Sequence, residues 1–429
     1  MKITNLLELN KALEEDLLLE VENSISIDET IHLKKGQKLI GTNDNVFLSF
    51  INGGSIELEG DNEISNLSIQ TTPSKRAIRL KSNLEDLGEI KLKDLTITGM
   101  VQILTKAPNK YLDVKIENMD IVSSDSRNYP QRPMKYGVNV YQGALTIYNY
   151  NPDKESLINV DIDGIKLGRK NAPVIGSGVF IGGLNDDTGR IEVNNLVTDD
   201  IYSNGMIPTG QPNLITGAIF IVQSTNAKNI LTRGNTVTYG TNDMVLDVWG
   251  KVEKWVVEKP IVSYGQSAIG FVNFGEVDYF KANSPIKTYG LGARGFNQYD
   301  GTIKEAIFDS IETVGEGSIG MQVSKPVGKI EIINSVKTKG SIGETLVKGV
   351  IMELAADAIS IKEGGVVENL VIGENLEVGG KEVVAYHVDK GQVKKFSLNG
   401  KIIAEDDSSQ EVKIENYGET DTTDIKEYL

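Results

Sequence analysis

The sequence predicts an all-β fold: a right-handed, single-stranded parallel β-helix with 25-residue coils and an N-terminal capping helix. The first observation is a file of glycines, Gly240, Gly265, Gly290, Gly315 and Gly340, spaced 25 residues apart without a gap. The second is that the columns beside this file keep one chemical type. Two residues before each glycine stands a small hydroxyl: Thr238, Ser263, Thr288, Thr313 and Thr338. Four before come Thr236, Ile261, Ile286, Ile311 and Val336, and six after the first four glycines come Leu246, Phe271, Phe296 and Met321. The third is a lack of space. Each unit holds three short alternating segments divided by Gly, Asn, Asp or Ser, with no stretch left for a crossover helix. Parallel strands joined by such short turns close as a solenoid. At about 3.3 Å per strand residue each repeat fills one three-sided turn, with successive turns about 4.8 Å apart. The period differs from that of hexapeptide left-handed helices, and the LxxLxL signature of leucine-rich repeats is absent.

The elements follow in chain order. Residues 5–16 set Leu6, Leu9, Leu13 and Leu7 on one expected helical face behind Asn5 as N-cap, and this helix should cover the first coil. Looser copies of the repeat lie upstream, at 90–99, 114–124, 159–168 and 191–201, and downstream, at 367–380 and 393–405. Residues 1–404 therefore read as a single β-helix domain. Residues 405–429, with nine acids against two lysines, read as an acidic C-terminal cap or tail.

Composition narrows the function classes. The 429 residues carry 44 Lys+Arg against 60 Asp+Glu, a net charge of −16, which argues against a general nucleic-acid binder. No apolar run approaches the roughly 20 residues of a membrane span, so no membrane partner is expected. The N-terminus has acids where an export signal has its apolar core; cytoplasmic location is the default, with virion and extracellular locations left open. Cysteine is absent, which removes disulfides, thiolate metal sites and cysteine nucleophiles. The two histidines, His32 and His387, fall in early and late strands and read as surface or strand-packing residues. Gly290, Gly292 and Gly295 spell GxGxxG, but as members of repeat columns followed by strand they do not form a dinucleotide fingerprint.

The opening segments, "ISIDETIHLKKGQKLIG" among them, together with the coil length and ladder pattern, resemble the pectin/pectate lyase-like superfamily of right-handed parallel β-helices over roughly residues 17–404. The resemblance implies the fold and a carbohydrate-active protein that binds and cleaves or rearranges a polysaccharide, as a hydrolase, lyase or transferase. Similar β-helices include homotrimeric fructan-cleaving transferases and phage tailspikes, so a homotrimer with sites between subunits belongs to what it implies. The family's catalytic segments are not matched: DD pairs occur at Asp186–Asp187 and Asp199–Asp200, without GHG, WiDH or RxPxxR. The alternative is a non-catalytic scaffold or glycan-binding protein of a surface, a phage or an exopolysaccharide-assembly system. No cofactor is called for, with Ca²⁺ left open.

Three insertions at equivalent phases, Ser124–Tyr136, Arg169–Ser177 and Tyr202–Thr216, should form adjoining walls along one edge. They supply Arg127, Tyr129, Arg132, Arg169, Lys170, Tyr202 and Asn204 as candidate substrate contacts; coil variation or a subunit contact is the other reading. Trp249, Phe274 and Tyr299 form an aromatic column nine residues after the glycines, and Tyr239, Tyr264 and Tyr289 form another one residue before them. An outward aromatic column suits the stacking of sugar rings, and an internal stack is the competing reading. Without catalytic histidine, glycan cleavage rests on carboxylates, and Asp199, Asp200, Asp243 and Asp247 are the candidate acids. As turn residues they would need no further role.

Overall fold

The computed structural model describes residues 2–208, 210–347 and 350–429, and the chain in it is an all-β parallel solenoid. Its contacts divide it into two compact units. The first is residues 1–133, 141–203 and 220–230, and the second is residues 134–140, 204–219 and 231–429.

The first unit begins with the helix Leu6–Glu15. Asn5 accepts a hydrogen bond from the Glu8 backbone N–H at 3.0 Å, and Glu8 reaches back to the Thr4 N–H at 2.7 Å. Leu9, Ala12 and Leu13 face inward. Leu7 does not share that face: it is 84% exposed, because one residue turns the helix by about 100° away from Leu6. The last turn is closed by Gln37, whose side-chain amide donates to the carbonyls of Leu13 and Asp16 at 2.9 and 2.8 Å. Behind the helix, long strands pair in parallel, Glu63–Gln70 with Asp86–Thr98, then Tyr111–Ser123, then Leu157–Leu167. Each of these strands has a left-handed residue in its course, Asn66, Asp94, Asn118 or Gly164, and Asp86–Thr98 has a second at Gly88. Those are the residue types that tolerate positive φ, so this conformation costs the coil little. A second parallel sheet runs Ile31–Leu33, Ile56–Leu58, Arg76–Leu80, Met100–Thr105, Gly143–Asn149 and Ser177–Gly183.

The second unit shows the 25-residue register directly. Thr236, Ile261, Ile286, Ile311 and Val336 are consecutive partners, as are Leu246, Phe271, Phe296 and Met321. The glycine file has a steric cause. A Cβ on Gly265 would stand 1.7 Å from the Gly240 carbonyl oxygen, and one on Gly290 would stand 1.8 Å from that of Gly265. Backbones at this corner approach too closely for any side chain. Inside, Phe271, Phe280, Phe296 and Phe308 form a packed aromatic cluster with ring centroids 4.1 to 5.5 Å apart. Burial of each such ring contributes about 1.5–3 kcal/mol. The inward polar columns are satisfied only in part by stacking: Thr238 donates to Ser263 at 3.1 Å and the Asn273 amide to Gln298 at 3.1 Å. Thr313 and Thr338 donate to backbone carbonyls, and the Thr288 hydroxyl has no partner among the described residues.

Beyond Val336 the period changes, and the last coils run at 26 or 27 residues, with Leu376 paired to Ile402 and Ile359 to Tyr386. Val336 pairs with Leu376, 40 residues on, because an antiparallel hairpin, Ile342–Val347 with Val350–Ala355, is inserted. At the C-terminus, Gln410–Glu415 adds to Val384–Asp389 and Glu419–Thr420 to Gln392–Val393. Among the described residues no helix is long and apolar enough to cross a membrane.

Candidate functional site

In the second unit a 130 Å³ cavity opens on the outward side of the strands Asp243–Val248, Ile269–Asn273 and Arg294–Gln298. Parallel register sets its floor. Asp247, Val272, Asn297 and Gln322 stand in one column, and Met244, Ile269, Arg294 and Ile319 in another. Most of these positions are apolar or amide, so Asp247 and Arg294 are the ionisable exceptions.

Asp247 is fully buried, and among the described residues the only donors beside its carboxylate are the Trp249 indole and the Val248 N–H. Burial pushes its carboxyl well above the usual carboxylate range; the nearby indole of Trp249 and the Val248 N–H pull it back only in part. Arg294, in the next column, is held by Gln322 at 3.2 Å, and burial pushes its guanidinium down to about 10. It stays charged at neutral pH, whereas Asp247 is a carboxyl that burial favours in the neutral, proton-bearing form.

Aromatic rings make one wall. Trp249, Phe274 and Tyr299 follow each other in a file with centroid separations of 6.1 and 4.8 Å. Tyr136 folds over this file, stacked on Phe274 at 4.6 Å and edge-on to Trp249 at 5.4 Å, with its hydroxyl donating to the Phe274 carbonyl at 3.2 Å. Tyr299 is left half-buried at the open end. The inserted hairpin stands on the far side: Thr345 Oγ1 lies 3.0 Å from Ser267 Oγ, and Ser267 lines the cavity.

Asp243, four residues before Asp247, has a different environment. Its oxygens accept from the Gly205 N–H at 3.0 Å, the Gly240 N–H at 2.7 Å and the Thr216 hydroxyl at 2.6 Å. Burial raises its pKa to about 6 despite these donors. The carboxylate is thus a clamp that ties the ends of the 205–216 loop to the coil. Asn204 similarly accepts from the Met206 N–H at 2.8 Å.

The insertions are drawn together piecewise. In the first unit Asp125 bridges to Ile175, joining the first insertion to the second. In the second unit Asn139 and Val140 pair with Leu214 and Ile215, joining the residues that follow the first insertion to the third; Thr209 of that insertion lies outside the described residues. The arginines of these loops are held by nearby carboxylates and carbonyls. Arg127 makes a two-pronged contact with Asp125 at 2.9 and 2.8 Å, and Arg169 one with Asp120 at 2.9 and 2.7 Å. Arg132 donates to the carbonyls of Tyr129 and Arg127 and lies over the Tyr141 ring. Tyr129 is 8% exposed and donates to the Ser74 carbonyl. Lys170 is exposed, Tyr202 is half-buried, and Asp199 and Asp200 are half-buried in the strand Arg190–Asn204. Asp199, Asp200 and Tyr202 belong to the first unit, Asp243, Asp247 and the Trp249 file to the second.

His387 is buried, its Nδ1 2.8 Å from Asp357 and its Nε2 2.9 Å from Glu415, so both nitrogens serve strand packing. Among the described residues no three His, Asp or Glu side chains gather as a metal site. Tyr136, which lines the cleft, and the hairpin Ile342–Val347 with Val350–Ala355, which reaches Ser267 through Thr345, were not foreseen by sequence reasoning. Tyr136 ends a predicted insertion, but nothing in its spacing marks the aromatic file as its target. The file Tyr239, Tyr264 and Tyr289 is present, with near-parallel rings 5.5 and 5.0 Å apart, Tyr239 half-buried and the other two exposed. No family model, no curated protein and no solved structure matches the chain.

Proposed function

We propose that the chain is a carbohydrate-active β-solenoid whose second unit holds a sugar ring in the cleft of Tyr136, Phe274 and Tyr299. Asp247 acts there as general acid. The observation that carries this reading is the Asp247 carboxyl: fully buried and lining an aromatic-walled cavity, with only the Trp249 indole and the Val248 N–H beside it. A carboxyl raised by burial holds its proton to higher pH than a free one and can deliver it to a leaving oxygen. That proton transfer is common to glycoside hydrolysis, elimination and glycosyl transfer, so one acid suits the whole class. Arg294 supplies fixed positive charge beside the cleft, where it favours negative charge developing on the departing oxygen.

The test is a panel of acidic and neutral polysaccharides, followed by reducing ends and by absorbance of unsaturated products. Turnover that Asp247→Asn abolishes while binding survives supports the reading. Turnover unchanged in Asp247→Asn removes Asp247 from the chemistry. A second reading, a non-catalytic glycan-binding scaffold, is favoured by the outward tyrosine file, in which Tyr264 is 50% and Tyr289 42% exposed. Binding without turnover on every polysaccharide, weakened by Tyr264→Ala, selects it.

A further inference from the structure

The chain is strongly acidic, at −16, yet the first unit contains a 1010 Å³ groove whose lining is cationic. Lys34, Arg76, Arg79, Lys81 and Lys106 face it against only Glu57 and Glu59, five positive charges to two negative. Its floor is a column of polar side chains on successive strands: His32 pairs with Glu57, Glu57 with Arg79, and Arg79 with Gln102. Stacking places these neighbours about 4.8 Å apart.

The Glu57 side chain is only 2% exposed and is surrounded by His32, Arg79 and, at 2.9 Å, Lys81. One buried carboxylate therefore faces both Arg79 and Lys81, with His32 beside it, and cannot neutralise the two cations together. Arg79 keeps a buried Nε with no hydrogen-bond partner. Arg76, three residues earlier on the same strand, has no carboxylate partner among the described residues. It donates to the Gln102 side chain at 2.8 Å and lies 4.7 Å above the Tyr129 ring. The two guanidiniums stand at the junction of the groove and a neighbouring 430 Å³ cavity, which both also line. Like charges held this close in a partly desolvated wall cost stability unless an anion shares them. A guanidinium fork matches a carboxylate, sulfate or phosphate through paired N–H donors.

We infer that this groove binds a ligand carrying oxyanion groups, with Arg76 and Arg79 holding one such group and Lys81 and Lys106 extending the site along the groove. It does not rest on the reading of the Asp247 cleft. The test is titration calorimetry on the full chain at 50 and 200 mM NaCl. The probes are inorganic phosphate, a sulfated hexasaccharide, a hexameric uronate and an uncharged cello-hexaose. The expected result is saturable binding of at least one anionic probe, weakened at the higher salt, with none of cello-hexaose at this site. The anion that binds identifies the oxyanion. Arg76→Gln with Lys106→Gln, neither of which contacts Glu57, should weaken that binding at least tenfold with unchanged melting temperature. Asp247→Asn should leave it intact, so the failure of one site does not imitate failure of the other. Absence of binding by every anion, or anion affinity unmoved by the double variant, overturns the proposal.

Discussion

The substitution Asp247→Asn tests the burial argument independently of any substrate. In the folded chain the carboxyl is 0% exposed and its pKa lies well above the ordinary value, with burial as the leading cause. When a folded-state pKa is raised, the native protein holds a proton that the unfolded chain has released. Stability then falls as pH rises from the unfolded pKa, about 4, up to the folded pKa, at about 1.4 kcal/mol per pH unit. The contribution is fully present below that window and lost above it. Asparagine has no such titration, so its own packing cost is the same at every pH. The stability of Asp247→Asn relative to the parent should therefore improve by about 1.4 kcal/mol per unit from pH 4 upward, then level off above the folded pKa. Denaturant unfolding at a series of pH values, followed by tryptophan fluorescence, measures this. The chain's two tryptophans, Trp249 and Trp255, are both buried in the second unit and report its unfolding. Asp243, raised to about 6, titrates equally in both proteins and cancels in the difference. Parallel pH–stability curves for the two proteins would refute the claim that Asp247 is a carboxyl held neutral by burial.

Gly265→Ala places a Cβ 1.7 Å from the Gly240 carbonyl and should destabilise the chain by roughly 2–4 kcal/mol, read as a lower denaturation midpoint. Tyr136→Ala removes the ring stacked on Phe274 and should weaken glycan binding in the cleft about tenfold, at a stability cost of about 1 kcal/mol, measured by calorimetry and melting. Asp243→Asn replaces one acceptor with a donor facing backbone N–H groups; it should cost about 1–3 kcal/mol and speed proteolytic cleavage within 205–216.

The solenoid of the second unit was legible because its coils between residues 236 and 338 keep one length. With equal coils, columns in the sequence are columns in space, and the glycine file, the Thr/Ser file and the aromatic file all appear in the register. The first unit hides its columns. His32, Glu57, Arg79 and Gln102 are neighbours in the sheet although their spacings are 25, 22 and 23 residues. No fixed period finds them, so the cationic groove was invisible until strands were paired. Tyr136 and the 342–355 hairpin were missed for another reason. They cover the sheet by side-chain contacts and antiparallel pairing, and neither carries the repeat's signature. Asp247 was legible as an acid near a predicted wall. Its burial was not, because the Tyr136 ring that lines the same cavity comes from outside the repeat.

The cleft can be understood as two departures from a column rule. In a parallel stack each position has nearly the same surroundings as the one a coil away, so a column that is covered on its outer side favours apolar residues throughout. Val272 follows Asp247 in one column, and Ile269 and Ile319 flank Arg294 in the other. A buried ionisable side chain in such a place is rarely the most stable choice; well-packed apolar substitutes are often neutral or stabilising by about 1–4 kcal/mol. Asp247→Val combined with Arg294→Ile restores each column to the residue type of its neighbours. If the two side chains are present for ligand chemistry, the double variant should melt at or above the parent's temperature and lose turnover. If they hold the coils together, it should melt well below the parent, and the assignment of Asp247 and Arg294 to the site would fall with it.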